Sequence, residues 1–213
     1  MTELQKDKLA IAILLLLYGV GITALWFEVH PDFILLTPFN LLISAALLIW
    51  RHPVKDRAMW SFIGLCYAIG FIVEMAGVQT GMIFGEYEYG IVLGPKLLGT
   101  PLLIGVNWVI LVYASAVTAD RFFGKMPRYL RTALAAAVMV ALDVLIEPVA
   151  VGFGFWSWAG GVIPLQNYLA WYVLAFLLIA LFYQLHRLQV FNKVALVLLV
   201  LQFLFFGILN ASL

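Results

Sequence analysis

Residues 70–108 read GFIVEMAGVQTGMIFGEYEYGIVLGPKLLGTPLLIGVNW. This stretch predicts an apolar helix that carries Glu74, then a loop dense in glycine, tyrosine and acid, then a second apolar helix that carries Asn107. An ionisable side chain inside an apolar helix is costly and usually has a function. We therefore expect the functional site to form around Glu74.

The rest of the chain has the composition of a membrane protein. Of its 213 residues, 65% are hydrophobic and 11% are charged, and the mean hydropathy is +1.08. A water-soluble domain of this length could not bury so much apolar surface. Because the bilayer core offers the backbone no hydrogen-bond partners, we predict an all-α, polytopic bundle without strands, forming a single integral membrane domain over residues 1–213. Seven spanning helices of about 20 residues each are predicted at 9–27, 33–50, 59–79, 101–119, 129–149, 167–185 and 194–210.

The distribution of Lys and Arg predicts how the helices are oriented. Eleven of the twelve, Arg187 among them, precede the first helix or fall in the loops after the second, fourth and sixth helices. Lys96 falls on the opposite side. Basic residues favour the cytoplasmic side, so we expect a cytoplasmic N-terminus and an outer C-terminus. The expected location is the cell membrane of a bacterium or an archaeon.

Two further acids lie on the predicted fifth helix. Asp143 and Glu147 are four residues apart, which puts both on one face, about 6 Å apart along the axis. Two such carboxyl groups repel each other unless one is protonated or a cation lies between them. A simpler alternative is that Glu147 only marks the membrane surface before Pro148.

Polar side chains and aromatic loops gather at the predicted outer ends of the helices. Five helices place a polar group within about 10 Å of that surface: Asn40, Glu74, Asn107, Asp143 and Asn167. Two aromatic loops, residues 80–100 and 152–167, follow on the same side. We predict one polar pocket roofed by these loops, although their tyrosines would also suit an interfacial belt. The candidates for substrate contact are Tyr87, Tyr89, Asn107, Trp156, Trp158, Asn167 and Trp171.

Several kinds of site are not predicted. The three histidines, His30, His52 and His186, lie away from the acids, so no metal site is expected. No glycine-rich phosphate loop is present, and no Ser or Cys stands beside a His. A formal net charge of +1 gives no sign of nucleic-acid binding. We expect no cofactor.

Carboxylic acids in an apolar, aromatic cavity suit one kind of chemistry. They can stay protonated near neutral pH and act as strong proton donors. A proton added to an electron-rich alkene gives a carbocation, which Trp and Tyr rings stabilise. An ionised carboxylate can then direct water onto that cation. An apolar polyene would reach such a site from the lipid bilayer.

Five segments within residues 70–172 carry a family resemblance. They read GFIVEMAGVQTGMIFGEYEYG, LGPKLLGTPLLIGVNWVILVY, ALDVLIEPVAV, GFWSW and IPLQNYLAWY. They resemble the CruF-type carotenoid biosynthesis membrane proteins, which include carotenoid 1′,2′-hydratases and bisanhydrobacterioruberin hydratases. Outside this region the match is only hydrophobic. The resemblance implies addition of water across the terminal C1′=C2′ bond of an acyclic carotenoid, without a redox cofactor.

The acids then have expected roles. Glu74 or Asp143 would protonate the alkene, and Glu147 or the remaining acid would activate water. The cation would rest against Tyr87, Tyr89, Trp156 or Trp171. Asn107 and Asn167 would position water or tune the acids.

Other functions are compatible with the same residues. The same cation would close a ring if water were excluded, as in a lycopene-cyclase-like reaction. Acids within spanning helices also mark ion paths, so a proton-coupled carrier is a hypothesis of a different class. A carotenoid-binding protein would need the aromatic residues but not Glu74.

Overall fold

The computed structural model describes residues 1–186 and 191–212. These residues form seven helical segments, each long and apolar enough to cross a membrane, which confirms the predicted number of helices. The second segment, Pro31–Arg51, includes the 3-10 turn that precedes its α-helix. Arg187, counted among the basic residues that predict the orientation, lies outside the described residues. The helices are α1 (Glu3–Trp26), α2 (Thr37–Arg51), α3 (Arg57–Thr80), α4 (Leu103–Phe123), α5 (Arg128–Gly152), α6 (Leu165–Leu185) and α7 (Lys193–Asn210).

Local capping signals explain where the helices begin and end. α1 starts well before the predicted residue 9, because the Thr2 hydroxyl accepts a hydrogen bond from the Gln5 backbone while the Gln5 side chain accepts one from Thr2. The second predicted helix opens as a 3-10 helix, Pro31–Leu36, and continues directly as α2. α3 ends at Gly81, whose φ of +66° is a left-handed conformation that glycine adopts without strain.

α4 is the central helix of the bundle. It is buried over most of its length and packs against α2, α3, α5, α6 and α7. α1 packs mainly against α7, so it forms an outer wall on one side. Side chains at the start of α4 therefore meet those of α3, α5 and α6 inside the protein.

Four short strands correct the expectation that the chain has none. They are β1 (Tyr87–Tyr89), β2 (Lys96–Leu97), β3 (Thr100–Pro101) and β4 (Trp156–Trp158). β1 and β4 pair antiparallel, with Tyr87 opposite Trp158 and Tyr89 opposite Trp156. The strands lie in the loops between helices, so the bilayer argument against strands does not apply to them. Their pairing joins the two aromatic loops that the sequence predicts as the roof of one pocket.

Candidate active site

Glu74, on α3, is buried and fully engaged by aromatic hydrogen-bond donors. The Tyr87 and Tyr89 hydroxyls donate to its Oε2 at 2.7 and 2.8 Å. The Trp108 Nε1 of α4 donates to its Oε1 at 3.0 Å. Three elements therefore meet at one carboxyl group whose residue is only 2% exposed.

Two glycines on the same face of α3 make room for these donors. A Cβ added at Gly77 would lie 2.5 Å from a Phe84 ring carbon and 3.3 Å from the Tyr87 hydroxyl oxygen. A Cβ added at Gly70 would lie 2.7 Å from the Trp108 ring. Both distances to ring carbons are shorter than van der Waals contact. The glycine stripe around Glu74 thus admits the aromatic rings that bind it.

The two loop tyrosines are suited to donate rather than accept. Burial, and then the nearby Glu74 carboxyl, raise the pKa of both Tyr87 and Tyr89 above the ordinary value. Both hydroxyls therefore keep their protons near neutral pH.

Asp143 and Glu147, on α5, form the second half of the site. The indole N–H groups of Trp156 and Trp158 both donate to Glu147 Oε2 at 2.9 Å. The Asn167 amide of α6 donates to Glu147 Oε1 at 3.0 Å and to Asp143 Oδ2 at 3.2 Å. Glu147 is 2% exposed and α5 continues past it to Gly152. Glu147 therefore faces the interior of the protein and is bound by three side-chain donors.

The β1–β4 pairing brings the two halves together. Tyr87 packs on Trp158 with ring centroids 5.0 Å apart, and Tyr89 meets the edge of Trp156 at 5.9 Å. One side of this aromatic layer donates to Glu74 and the other to Glu147. The three acids and their donors thus form a single cluster.

No cation balances the acids of this cluster within the described residues. All salt bridges among the described residues involve carboxyl groups outside this cluster. The same part of the chain has no group of three or more His, Cys, Asp or Glu side chains suited to hold a metal ion. Asp143 Oδ1 is buried and has no hydrogen-bond partner there. In contrast, both carboxyl oxygens of Glu74 and both of Glu147 accept at least one hydrogen bond.

The predicted polar layer divides into two places. Asn167 lies in the acid cluster, whereas Asn40 and Asn107 line a separate cavity. The residue that reaches Glu74 from α4 is Trp108, which also stacks on Trp171 with ring centroids 4.4 Å apart. The sequence analysis names Asn107 as a site residue and does not name Trp108. The available signal was Gly70, one turn before Glu74, which leaves space for a large ring.

The separate cavity is apolar and has a volume of about 450 Å³. It lies between α1, α2, α4, α5 and α7, and Tyr18 and Gln202 add two polar groups to its wall. Trp156 lines it, but Glu74, Asp143 and Glu147 do not. The acids are therefore adjacent to this cavity through Trp156 and are not open to it.

Comparisons with known proteins identify the family. Residues 34–213 match a family model described as carotenoid biosynthesis protein. The bisanhydrobacterioruberin hydratase of Haloarcula japonica is 28% identical over 155 residues, which cover 67% of this chain and 50% of that protein. The chain thus spans about half the length of this curated relative. No solved structure matches the chain. Because the family model covers most of its length, the chain belongs to the carotenoid biosynthesis protein family.

Proposed function

We propose that the protein is a cofactor-independent carotenoid hydratase that adds water to the terminal C1′=C2′ bond of an acyclic carotenoid. The observation that carries the proposal is the cluster of three buried carboxyl groups. Among the described residues, no cation pairs with the cluster, and one oxygen of Asp143 has no hydrogen-bond partner. Membership of the carotenoid biosynthesis family and the hydratase name of the relative support the same substrate class and reaction.

The hydrogen bonds suggest which acid carries the proton. Three carboxylates packed together in an apolar interior repel one another, so at least one should be protonated. Glu74 and Glu147 each accept three hydrogen bonds, an arrangement that fits a carboxylate. Asp143 accepts one, from Asn167, and its Oδ1 is unpaired. We assign Asp143 as the proton donor.

The reaction then balances without an oxidant or a reductant. The proton of Asp143 bonds to C2′ through the π electrons of the C1′=C2′ bond, which leaves a tertiary cation at C1′. A water oxygen bonds to C1′ and gives up a proton to Glu147 or to the Asp143 carboxylate. The ring faces of Trp156, Trp158 and Tyr89 beside these acids would stabilise the cation.

The membrane arrangement is part of the proposal. We place the N-terminus in the cytoplasm and the C-terminus outside, in the cell membrane, on the basis of the Lys and Arg distribution. The acid cluster lies where α3 and α5 approach their C-terminal ends, and so in the outer half of the bilayer. The carotenoid would come from the surrounding lipid.

The test is expression of the chain in cells that accumulate lycopene, followed by liquid chromatography and mass spectrometry of the pigments. We expect a product heavier by one water, which is lost in Asp143→Asn. Glu88→Gln is the matched control, because Glu88 lies on β1 between the two site tyrosines but is exposed. A product with the same mass as lycopene would mean that the enzyme cyclises its substrate and does not hydrate it. If lycopene is unchanged and the protein carries protons across vesicle membranes, the protein is a carrier and not an enzyme.

A further inference from the structure

We infer that the apolar cavity between α1, α2, α4, α5 and α7 is the binding site for one end of an acyclic polyene, and that Trp156 is the positioning residue between this ligand and Glu147. The identity of the ligand rests on the proposed function. The place of the site rests on the contacts of the cavity wall.

The cavity opens sideways, towards lipid. Leu16 and Val20 of α1 line it on one side, and Leu36 and Phe39 line it on the other, at the start of α2. All four side chains are also exposed on the outside of the bundle. The opening therefore lies between two apolar helix surfaces, where a ligand dissolved in the bilayer can enter without crossing water.

The wall favours an apolar occupant. Most lining side chains are aliphatic or aromatic, and the few polar ones, such as Asn40, Asn107 and Gln202, are uncharged. Ligand sites of this volume commonly combine an apolar wall with a small number of polar groups that set orientation. Because the opening is lateral, only one end of a long polyene needs to fit, and the rest can remain in the lipid.

Trp156 connects this cavity to the acids. Its indole N–H donates to Glu147 Oε2 at 2.9 Å while its ring forms part of the cavity wall. Trp158 donates to the same oxygen at the same distance, but it does not line the cavity. A ligand that fills the cavity therefore contacts the Trp156 ring, and this ring is the link between the ligand and Glu147.

The first experiment fills the cavity from a glycine. Gly21 lines it, and a Cβ added there would lie 3.1 Å from a Phe205 ring carbon. Gly19, on the same helix, is outside the lining, and an added Cβ would meet nothing within 4 Å. Purified Gly21→Leu and Gly19→Leu proteins in lipid nanodiscs are titrated with lycopene, and the bound pigment is measured by absorbance. We expect at least a tenfold loss of affinity in Gly21→Leu and a change below twofold in Gly19→Leu.

Equal binding by the two variants would overturn the inference. A lipid acyl chain that copurifies with the wild type, is absent from Gly21→Leu and is not displaced by lycopene would also overturn it, because the cavity would then be a lipid site.

The second experiment separates the two tryptophans by kinetics. Trp156→Phe and Trp158→Phe each remove one donor from Glu147, so both should lower kcat. Only Trp156→Phe should also shift KM and lycopene affinity. An identical effect of the two substitutions on KM would mean that Trp156 acts through Glu147 alone.

The two proposals can fail separately. Lycopene binding that depends on Gly21, without any hydrated product, would leave the cavity assignment standing and reject the hydratase. Normal hydration by Gly21→Leu would leave the hydratase standing and reject the cavity assignment.

Discussion

Gly70 provides the sharpest test of how the site is held together. In Gly70→Ala the new Cβ would lie 2.7, 2.8 and 2.9 Å from the Cγ, Cβ and Cδ1 atoms of Trp108. The indole must then move away from α3. That movement acts on two contacts, the hydrogen bond to Glu74 at 3.0 Å and the stacking on Trp171 at 4.4 Å.

The expected cost follows from these contacts. Overpacking of a buried site costs about 1–3 kcal/mol. If the ring moves instead, the hydrogen bond to a carboxyl group is lost, at about 1.5–3 kcal/mol, together with about 0.5–1.5 kcal/mol of stacking. The protein adopts whichever of these two responses costs less free energy. The helical preference of Ala over Gly offsets roughly 0.5–1 kcal/mol of that cost. We expect a net destabilisation of up to about 2.5 kcal/mol relative to the wild type.

The assay is thermal unfolding of the purified protein in detergent micelles, with Gly64→Ala as the control. Gly64 lies on the same helix, and a Cβ added there would meet nothing within 4 Å. Both variants gain the helical preference of Ala, so about 1–3 kcal/mol should separate them, which places the Tm of Gly70→Ala roughly 2–12 °C below that of Gly64→Ala. Gly64→Ala should leave the Tm unchanged or raise it slightly.

The reasoning is refuted if the two alanine variants unfold at the same temperature. A double-mutant cycle with Trp108→Leu makes the test stricter. Gly70→Ala should cost less in the Trp108→Leu background than in the wild type, because the clash is with that ring. Additive effects would show that the damage lies elsewhere.

Other predictions address the acids, the loops and the opposite end of the bundle. Asp143→Asn should abolish hydration but change the Tm little, because the unpaired oxygen loses no hydrogen bond and the other can still accept from Asn167. In Gly90→Ala the added Cβ would lie 2.0 Å from a backbone oxygen of the opposite loop, so β1 and β4 should separate, with faster hydrogen exchange in both loops and lower turnover. Burial, and then the nearby His186, lower the pKa of His52 to about 4. Because the unfolded value is about 6.5, the stability from neutral His52 is complete above that pH and is lost as the pH falls towards 4. The Tm should drop over this range, and His52→Gln should reduce the drop.

Hydropathy predicts the helices well because each spanning segment satisfies its backbone internally and needs no partner to be recognised. The glycine spacing around Glu74 also predicts a close approach, and the approaching groups are the Trp108 and Phe84 rings and the Tyr87 hydroxyl. In contrast, β1 and β4 have three residues each and lie far apart in the chain, so no local sequence pattern predicts their pairing. Hydrogen bonds between distant loops are decided by tertiary packing.

The division of the polar layer has a similar cause. Depth along a helix places Asn40 and Asn107 at the level of the acids, but depth does not say which face of the helix a residue occupies relative to its neighbours. Trp108 is rotated by about 100° from Asn107 at 3.6 residues per turn. That rotation is enough to put one side chain against Glu74 and the other in the cavity wall.

The donors chosen for the acids are consistent with carbocation chemistry. Lys or Arg would pair more strongly with Glu74 and Glu147, but a cation there would repel a carbocation formed nearby. The donors in this cluster are instead neutral N–H and O–H groups of Trp, Tyr and Asn. Neutral donors satisfy the carboxyl oxygens and leave the negative charge of the site uncancelled. Their rings supply the faces against which a cation is stable. Two substitutions at one position separate this account from a merely structural role for the aromatic layer. Tyr89→Phe removes one of three donors to Glu74 and keeps the ring, so the protein should retain more of the proposed turnover than in Tyr89→Leu, which removes both. Equal turnover in the two variants would show that the ring face takes no part in the reaction.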